Sequence, residues 1–128
     1  MAYNDLFDEI NNCLGVASHF VFRATAAIGA GPTALWAAAG MQVSITIYDV
    51  LIIGLGSAGA DTMTIQTAIA PGGMADLSSA IVIAAAGTMG RTATIVAAQA
   101  VAGPADAAQV VHSAATVGGV VHLLAYLT

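Results

Sequence analysis

Three histidines, seven carboxylates, two arginines and one cysteine supply most of the reactive groups in this 128-residue chain. Their spacing argues against an enzyme. His112 and His122 are ten residues apart. On a helix that is a turn of roughly 80°, so they do not chelate as an i, i+4 pair would. His19 falls on a separate predicted helix, and each histidine reads as a hydrogen-bonded packing residue before it reads as part of a three-histidine site. No Ser-His-Asp set and no pair of carboxylates can be assembled from spacing. Cys13 is alone, which excludes an internal disulfide and a cysteine-based metal site. The expectation is no catalysis, no cofactor, no metal and no small-molecule substrate.

Two stretches offer sharper readings. Gly54-Leu55-Gly56-Ser57-Ala58-Gly59 is a G-x-G-x-x-G, preceded by YDVLII and followed by Asp76. It resembles the flavin- and nicotinamide-binding fingerprint, which implies a pyrophosphate at a helix N-terminus and a ribose on the acid. The run after it is cut at Pro71, and no charged solvent face is present for the helices of an α/β sandwich. The competing reading places Gly54 with Ala58, and Gly56 with Ala60, at the small-xxx-small spacing that lets helix backbones approach closely. The second stretch surrounds Asp49, an acid in an apolar run, which resembles the single proton-carrying carboxylate of rotary-ATPase proteolipids. The polar, basic loop of that family is replaced here by Ala30-Gly31-Pro32. A structural carboxylate, paired with an arginine or hydrogen-bonded to Thr46, is the alternative.

Composition decides what must carry these residues. The chain is 59% hydrophobic and only 7% charged, against roughly 25% charged in ordinary soluble domains. It contains no lysine. A fold of this size leaves about a third of its surface exposed, too much for so few charges to cover. Burial against lipid or against other protein is expected. Two arginines against seven acids exclude extensive neutralisation of nucleic acid, because affinity for phosphate scales with the cations supplied. The acids sit where basic flanks of membrane spans would be, and the opening MAYNDLFDEI is acidic where a signal peptide would be basic.

The pattern predicts an all-α fold of four long hydrophobic helices in one domain: a hairpin over about 5–57, a linker over about 58–76 and a second hairpin over about 77–128. Polar residues at helical spacing stripe the first helix, and Gln42, Thr46 and Asp49 stripe the second. A helix over 32–57 would be about 39 Å long, although the β-branched run VSITIYDVLII also suits a strand. Turns are expected at Gly31-Pro32 and Gly103-Pro104, and the repeated Ala-Gly-Pro suggests a duplicated hairpin. Pro71-Gly72-Gly73 reads as a loop. Arg23 and Arg91 lie in apolar runs, where an unpaired cation is costly, so Glu9 and Asp49 are their expected partners.

With its near absence of charge and its Gly-Pro turns at Gly31-Pro32 and Gly103-Pro104, the chain resembles the hydrophobic helical-hairpin major coat proteins of archaeal viruses, both rod-shaped clavaviruses and tailed spindle-shaped ones. The resemblance implies a virion protein that partners many copies of itself in a helical shell and touches little of the genome, with lipid admissible as a further partner. A four-helix integral membrane protein, proteolipid-like with Asp49 as its buried acid, is the runner-up. A dinucleotide-binding protein using Gly54, Gly56 and Gly59 comes third.

Overall fold

The computed structural model describes residues 19–26, 32–55, 61–92, 94–112 and 118–127. In order these form β1 (His19–Ala26), β2 (Thr33–Trp36), β3 (Ile45–Leu55), β4 (Asp61–Ala68), β5 (Met74–Asp76), β6 (Ile81–Ile83), β7 (Met89–Arg91), the short helix α1 (Ala97–Ala100), β8 (Val101–Ala102), β9 (Ala107–His112) and β10 (Gly118–Leu127). The all-α expectation is overturned. Four long helices are replaced by two antiparallel five-stranded sheets. No helix among the described residues is long and apolar enough to cross a membrane, so the four-helix membrane alternative lacks its helices.

The physical reason is local. Residues 45–55, expected inside the second helix, carry Ile45, Thr46, Ile47, Val50, Ile52 and Ile53, whose branched Cβ atoms lose rotamer freedom in a helix and pack well on a pleated surface. Residues 61–68, expected in a linker, alternate strictly, with Asp61, Met63, Ile65 and Thr67 buried and Thr62, Thr64, Gln66 and Ala68 partly exposed. That period of two is a half-buried strand. β4 accordingly lies in the middle of its sheet, between β9 and the short strands β5 and β6.

Sheet A runs β1-β10-β3, with β7 and β8 both on the free edge of β3. Sheet B runs β2-β9-β4, with β5 and β6 both on the free edge of β4. The chain crosses between the sheets at β1 to β2, β2 to β3, β3 to β4, β6 to β7, β8 to β9 and β9 to β10. The paired strands β1·β10, β2·β9, β3·β7/β8 and β4·β5/β6 therefore form one long antiparallel ribbon rolled into a sandwich. This is the jelly-roll order, with each outer partner of β3 and β4 broken in two. The core lies between the sheets: Ile45, Ile47, Val50, Ile52, Val121, Leu123 and Ala125 from sheet A meet Met63, Ile65, Ile81, Ile83, Ala108 and Val110 from sheet B. Each large side chain buried there stabilises the fold by about 1.5–3 kcal/mol.

The turns are strand connections, not helical hairpins. Gly103 and Pro104 lie in a turn between β8 and β9, closed by the Asp106 amide donating to the Gly103 carbonyl at 3.0 Å. Pro71-Gly72-Gly73 links β4 to β5 after a cis Ala70–Pro71 bond. Pro32 is exposed just ahead of β2, while Gly31 lies outside the described residues. The strand at 45–55 does not restore the dinucleotide reading, because its neighbours β10, β7 and β8 are all antiparallel and the next element among the described residues is the strand β4.

Candidate assembly face and polar cleft

Register sets which side chains share the outside of sheet A. Arg23, His122, Leu51 and Arg91 are partners across β1, β10, β3 and β7, so they form one lateral row. With strands about 4.8 Å apart, its two end residues are roughly 14 Å from each other. The next row on one side contains Val120, Ile53 and Met89, and on the other Val21, Leu124 and Asp49. Val21 is 55% exposed and Met89 64%, with Ile53 and Leu55 exposed as well. Val21, Leu51, Ile53, Met89, His122 and Leu124 enclose a shallow depression of about 280 Å³. Both cations of the chain thus stand on this face, with His122 and Asp49 among its apolar side chains.

The outside of sheet B is different in kind. Thr62, Thr64 and Gln66 of β4 stand beside Gln109 of β9, and the amides are tied in series: Gln109 Nε2 donates to Gln66 Oε1 at 2.8 Å, and Gln66 Nε2 to Asp76 Oδ1 at 2.8 Å. Exposed apolar side chains there, Val82 and Met74, stand on the broken edge strand.

One irregularity in β3 creates a second feature on sheet A. Leu124 faces Asp49, yet the next residue, Ala125, faces Ile47, so Tyr48 is the extra residue of a β-bulge. Alternation is reset there: Ile45 and Ile47 point inward before it, Val50 and Ile52 after it, leaving Tyr48 and Asp49 side by side on the outer face. The bulge falls where β3 has lost its edge partner, between β7 on residues 51–53 and β8 on residues 45–46. The result is a cleft of about 430 Å³ lined by Tyr48, Asp49, Arg91, Thr92, Thr94 and Ile95.

Inside the cleft the structure brings Asp49 and Arg91 together. Arg91 Nε donates to Asp49 Oδ1 at 3.2 Å and Nη2 lies 2.5 Å from Oδ2, a two-pronged pair. The Val50 amide also donates to Oδ1, at 2.9 Å. Asp49 is only 7% exposed, whereas the Arg91 side chain is 65% exposed. The hydrogen bond to Asp49, then its charge, raise the Arg91 guanidinium above its ordinary value. Tyr48 is 42% exposed and stacks on Tyr126 with ring centres 6.1 Å apart. Thr92 continues from β7 with its amide on the Val50 carbonyl, and its hydroxyl meets Ser79 Oγ at 3.0 Å.

The other sequence-derived sites scatter. Gly54 is in β3, facing inward. A Cβ there would lie 2.6 Å from the Ala85 carbonyl oxygen and 2.6 Å from Ile83 Cγ2, so its close contact is between sheets and not between helices. Gly56, Ala58 and Gly59, with Glu9 and Cys13, lie outside the described residues. Arg23 is exposed on β1, two strands and one row away from Asp49. His112 and His122 are on different strands: His122 faces outward, while the His112 side chain, 1% exposed, points inward with Nδ1 3.2 Å from Asp61 Oδ2. His112 Nε2 has no hydrogen-bond partner among the described residues. No group of three or more His, Cys, Asp or Glu among the described residues could hold a metal ion.

Sequence reasoning missed the cleft's Tyr48, Thr92 and Thr94 and the clamp at Asp106, whose buried carboxylate accepts from the Ala70 and Gly103 amides at 2.7 Å each. The one available signal for the cleft was an aromatic-acid pair, Tyr48-Asp49, interrupting a β-branched run. No protein-family model, curated protein or solved structure matches the chain.

Proposed function

We propose that this chain is a self-assembling structural subunit of the coat-protein kind, and that the outer face of sheet A is covered by a second copy. The observation that carries this reading is the contrast between the two outer faces. One presents hydrogen-bonded glutamines beside threonines, with exposed Val82 and Met74 on its edge strand, and the other presents Val21, Leu51, Ile53, Met89 and Leu124 in adjoining rows. Contiguous exposed apolar patches on soluble domains mark interaction sites. Charge favours a copy of the same chain as the occupant. Arg91 is already paired with Asp49, but Arg23 is exposed on this face, and a second copy, with a net charge of −5, brings carboxylates of the complementary sign to it. When that face meets a different, acidic surface of the next copy, the contact is head-to-tail and propagates into a ring or a filament. The jelly roll is compatible with such a role, as it also is with lectins and enzymes, so the fold alone carries no weight in the choice.

The test is sedimentation and negative-stain imaging of the purified protein without detergent or lipid, beside Ile53→Glu. Wild type is expected as large regular particles, and the variant as a folded small species. A wild type that sediments as a monomer at micromolar concentration refutes the proposal. So does an Ile53→Glu protein that assembles unchanged.

A further inference from the structure

We infer that the cleft formed by the Tyr48 bulge is a binding site for a small neutral polyhydroxylated ligand, one ring of a saccharide. The inference is independent of the assembly reading, although the cleft shares a sheet face with the apolar depression.

Three observations select this ligand class. The first is the bulge. A regular strand sends consecutive side chains to opposite faces, so a ring and a carboxylate from adjacent residues cannot flank one cavity unless the ladder is broken between them. Here it is broken at Tyr48, at the gap between β7 and β8. Bulges re-aim side chains at functional edges in this way.

The second is charge closure. Both oxygens of Asp49 are engaged, by Nε and Nη2 of Arg91 and by the Val50 amide, so acid and cation cancel within the protein. An anionic ligand would compete with Asp49 for Arg91, and a cationic one would compete with Arg91 for Asp49. A ligand bearing hydroxyls does neither. Of the five N–H donors of a guanidinium, two point at Asp49, and the rest of this exposed side chain is turned to the cavity and solvent. The Asp49 grip fixes the guanidinium plane, which lowers the ordering cost of binding.

The third is the wall. The exposed Tyr48 ring, braced by stacking on Tyr126, lines the cleft and supplies it with an aromatic surface. The electron-rich face of an aromatic ring attracts the weakly positive C–H groups that line one side of a pyranose. Thr92, Thr94 and Ile95 complete the lining, with the Thr92 hydroxyl held by Ser79 and the Thr94 carbonyl. At about 430 Å³ the cleft falls within the roughly 300–1,000 Å³ range of small-ligand sites, large enough for one sugar ring and its water.

The experiment is saturation-transfer NMR with methyl glucoside, methyl galactoside, methyl mannoside and N-acetylglucosamine as separate probes. It is run on wild type and on Ile53→Glu, so that occlusion by neighbouring copies does not decide the result. At least one glycoside is expected to receive saturation at its ring C–H protons, with millimolar affinity. Tyr48→Ala and Arg91→Lys should each weaken it about tenfold or more, while Thr62→Ala on the other sheet leaves it unchanged. Near-UV circular dichroism of each variant separates loss of binding from loss of fold, and Thr94→Ser serves as the mild variant. The proposal is overturned if no glycoside is saturated by folded Ile53→Glu protein, or if saturation survives Tyr48→Ala. Sulfate binding at the cleft with no glycoside binding would make it an anion site and overturn it equally.

Discussion

Replacing Gly54 by alanine tests how closely the two sheets approach. Gly54 faces inward from β3, and the Cβ of an alanine would stand 2.6 Å from the Ala85 carbonyl oxygen and 2.6 Å from Ile83 Cγ2. The carbonyl belongs to a turn that Gly54 itself helps hold, since the Gly54 amide donates to the Thr88 carbonyl at 2.9 Å and the Gly87 amide to the Gly54 carbonyl at 2.8 Å. Neither contact can be relieved by rotating a flexible side chain end. Overpacking costs about 1–3 kcal/mol, and a backbone atom at this distance places the cost near the top of that range. Against it stands the lower entropy of an unfolded chain with alanine in place of glycine, about 0.4–1 kcal/mol in favour of the variant. The net expectation is a loss of about 2 kcal/mol.

Gly73→Ala is the matched control, because nothing lies within 4 Å of its Cβ position. Only the unfolded-state effect remains there, so it should be neutral or stabilise by up to about 1 kcal/mol. Urea titrations of both variants, run on the Ile53→Glu background to keep the protein dispersed, give the two midpoints at constant m. A cycle with Ile83→Ala then separates the methyl contact from the carbonyl contact: the Gly54→Ala penalty should shrink without vanishing. If Gly54→Ala is as stable as Gly73→Ala, the inter-sheet spacing at this end of the sandwich is wrong.

Two other perturbations probe single polar contacts. Arg91→Met should lower the melting temperature by leaving the nearly buried Asp49 without its cation, and Asp49→Asn with Arg91→Met should recover much of that loss. Strictly additive effects in this cycle would mean that the pair is not coupled. Asp106→Ala removes the acceptor of two amides, Ala70 and Gly103, and at roughly 1.5 kcal/mol or more for each bond to a charged group it should cost about 3 kcal/mol by urea titration. Asp106→Asn, which keeps one acceptor oxygen, should lose about half as much, and equal losses for the two variants would contradict the clamp.

How far the fold was legible turns on residues 42–55. Gln42, Thr46 and Asp49 fall at spacings of four and three, which is a helical stripe; Gln42 lies ahead of β3, and Thr46 and Asp49 are three apart because the Tyr48 bulge adds one residue to a strand whose outward positions would otherwise be two apart. The bulge that builds the cleft is thus the feature that disguised the strand. Branched side chains at Ile45, Ile47, Val50 and Ile52 were the counter-signal, and local composition outweighed spacing once sheet partners were available. The same error occurred in residues 81–112, where alanine content suggests helix and the chain forms mainly short strands. Alanine there meets another need: Ala100, Ala102 and Ala108 are buried between sheets. A small side chain fits that gap whatever its helix propensity, and tertiary context overrides a preference worth less than about 1 kcal/mol per residue.

Charge arguments survive such errors because they are indifferent to secondary structure. An arginine in an apolar run needs a carboxylate or open solvent, whether the run is helix or strand, and the strand answer is geometrically specific. Arg91 faces Leu51 across the β3–β7 ladder, so it reaches Asp49 on the diagonal, two residues along the same face. Had β3 continued without the bulge, the order of inward and outward positions set by Val50 and Ile52 would still place Asp49 outside, but would send Tyr48 into the core. Removing one residue, Tyr48, therefore makes a discriminating prediction. The deletion restores a regular ladder between β3 and β10, keeps the Asp49–Arg91 pair and abolishes the aromatic wall. The deleted protein should unfold cooperatively, remain assembly-competent through Ile53 and Leu124, and bind no glycoside. Loss of assembly together with the cleft, in a deletion variant that keeps its fold, would show that the two features are one surface and that the apolar depression alone does not drive self-association.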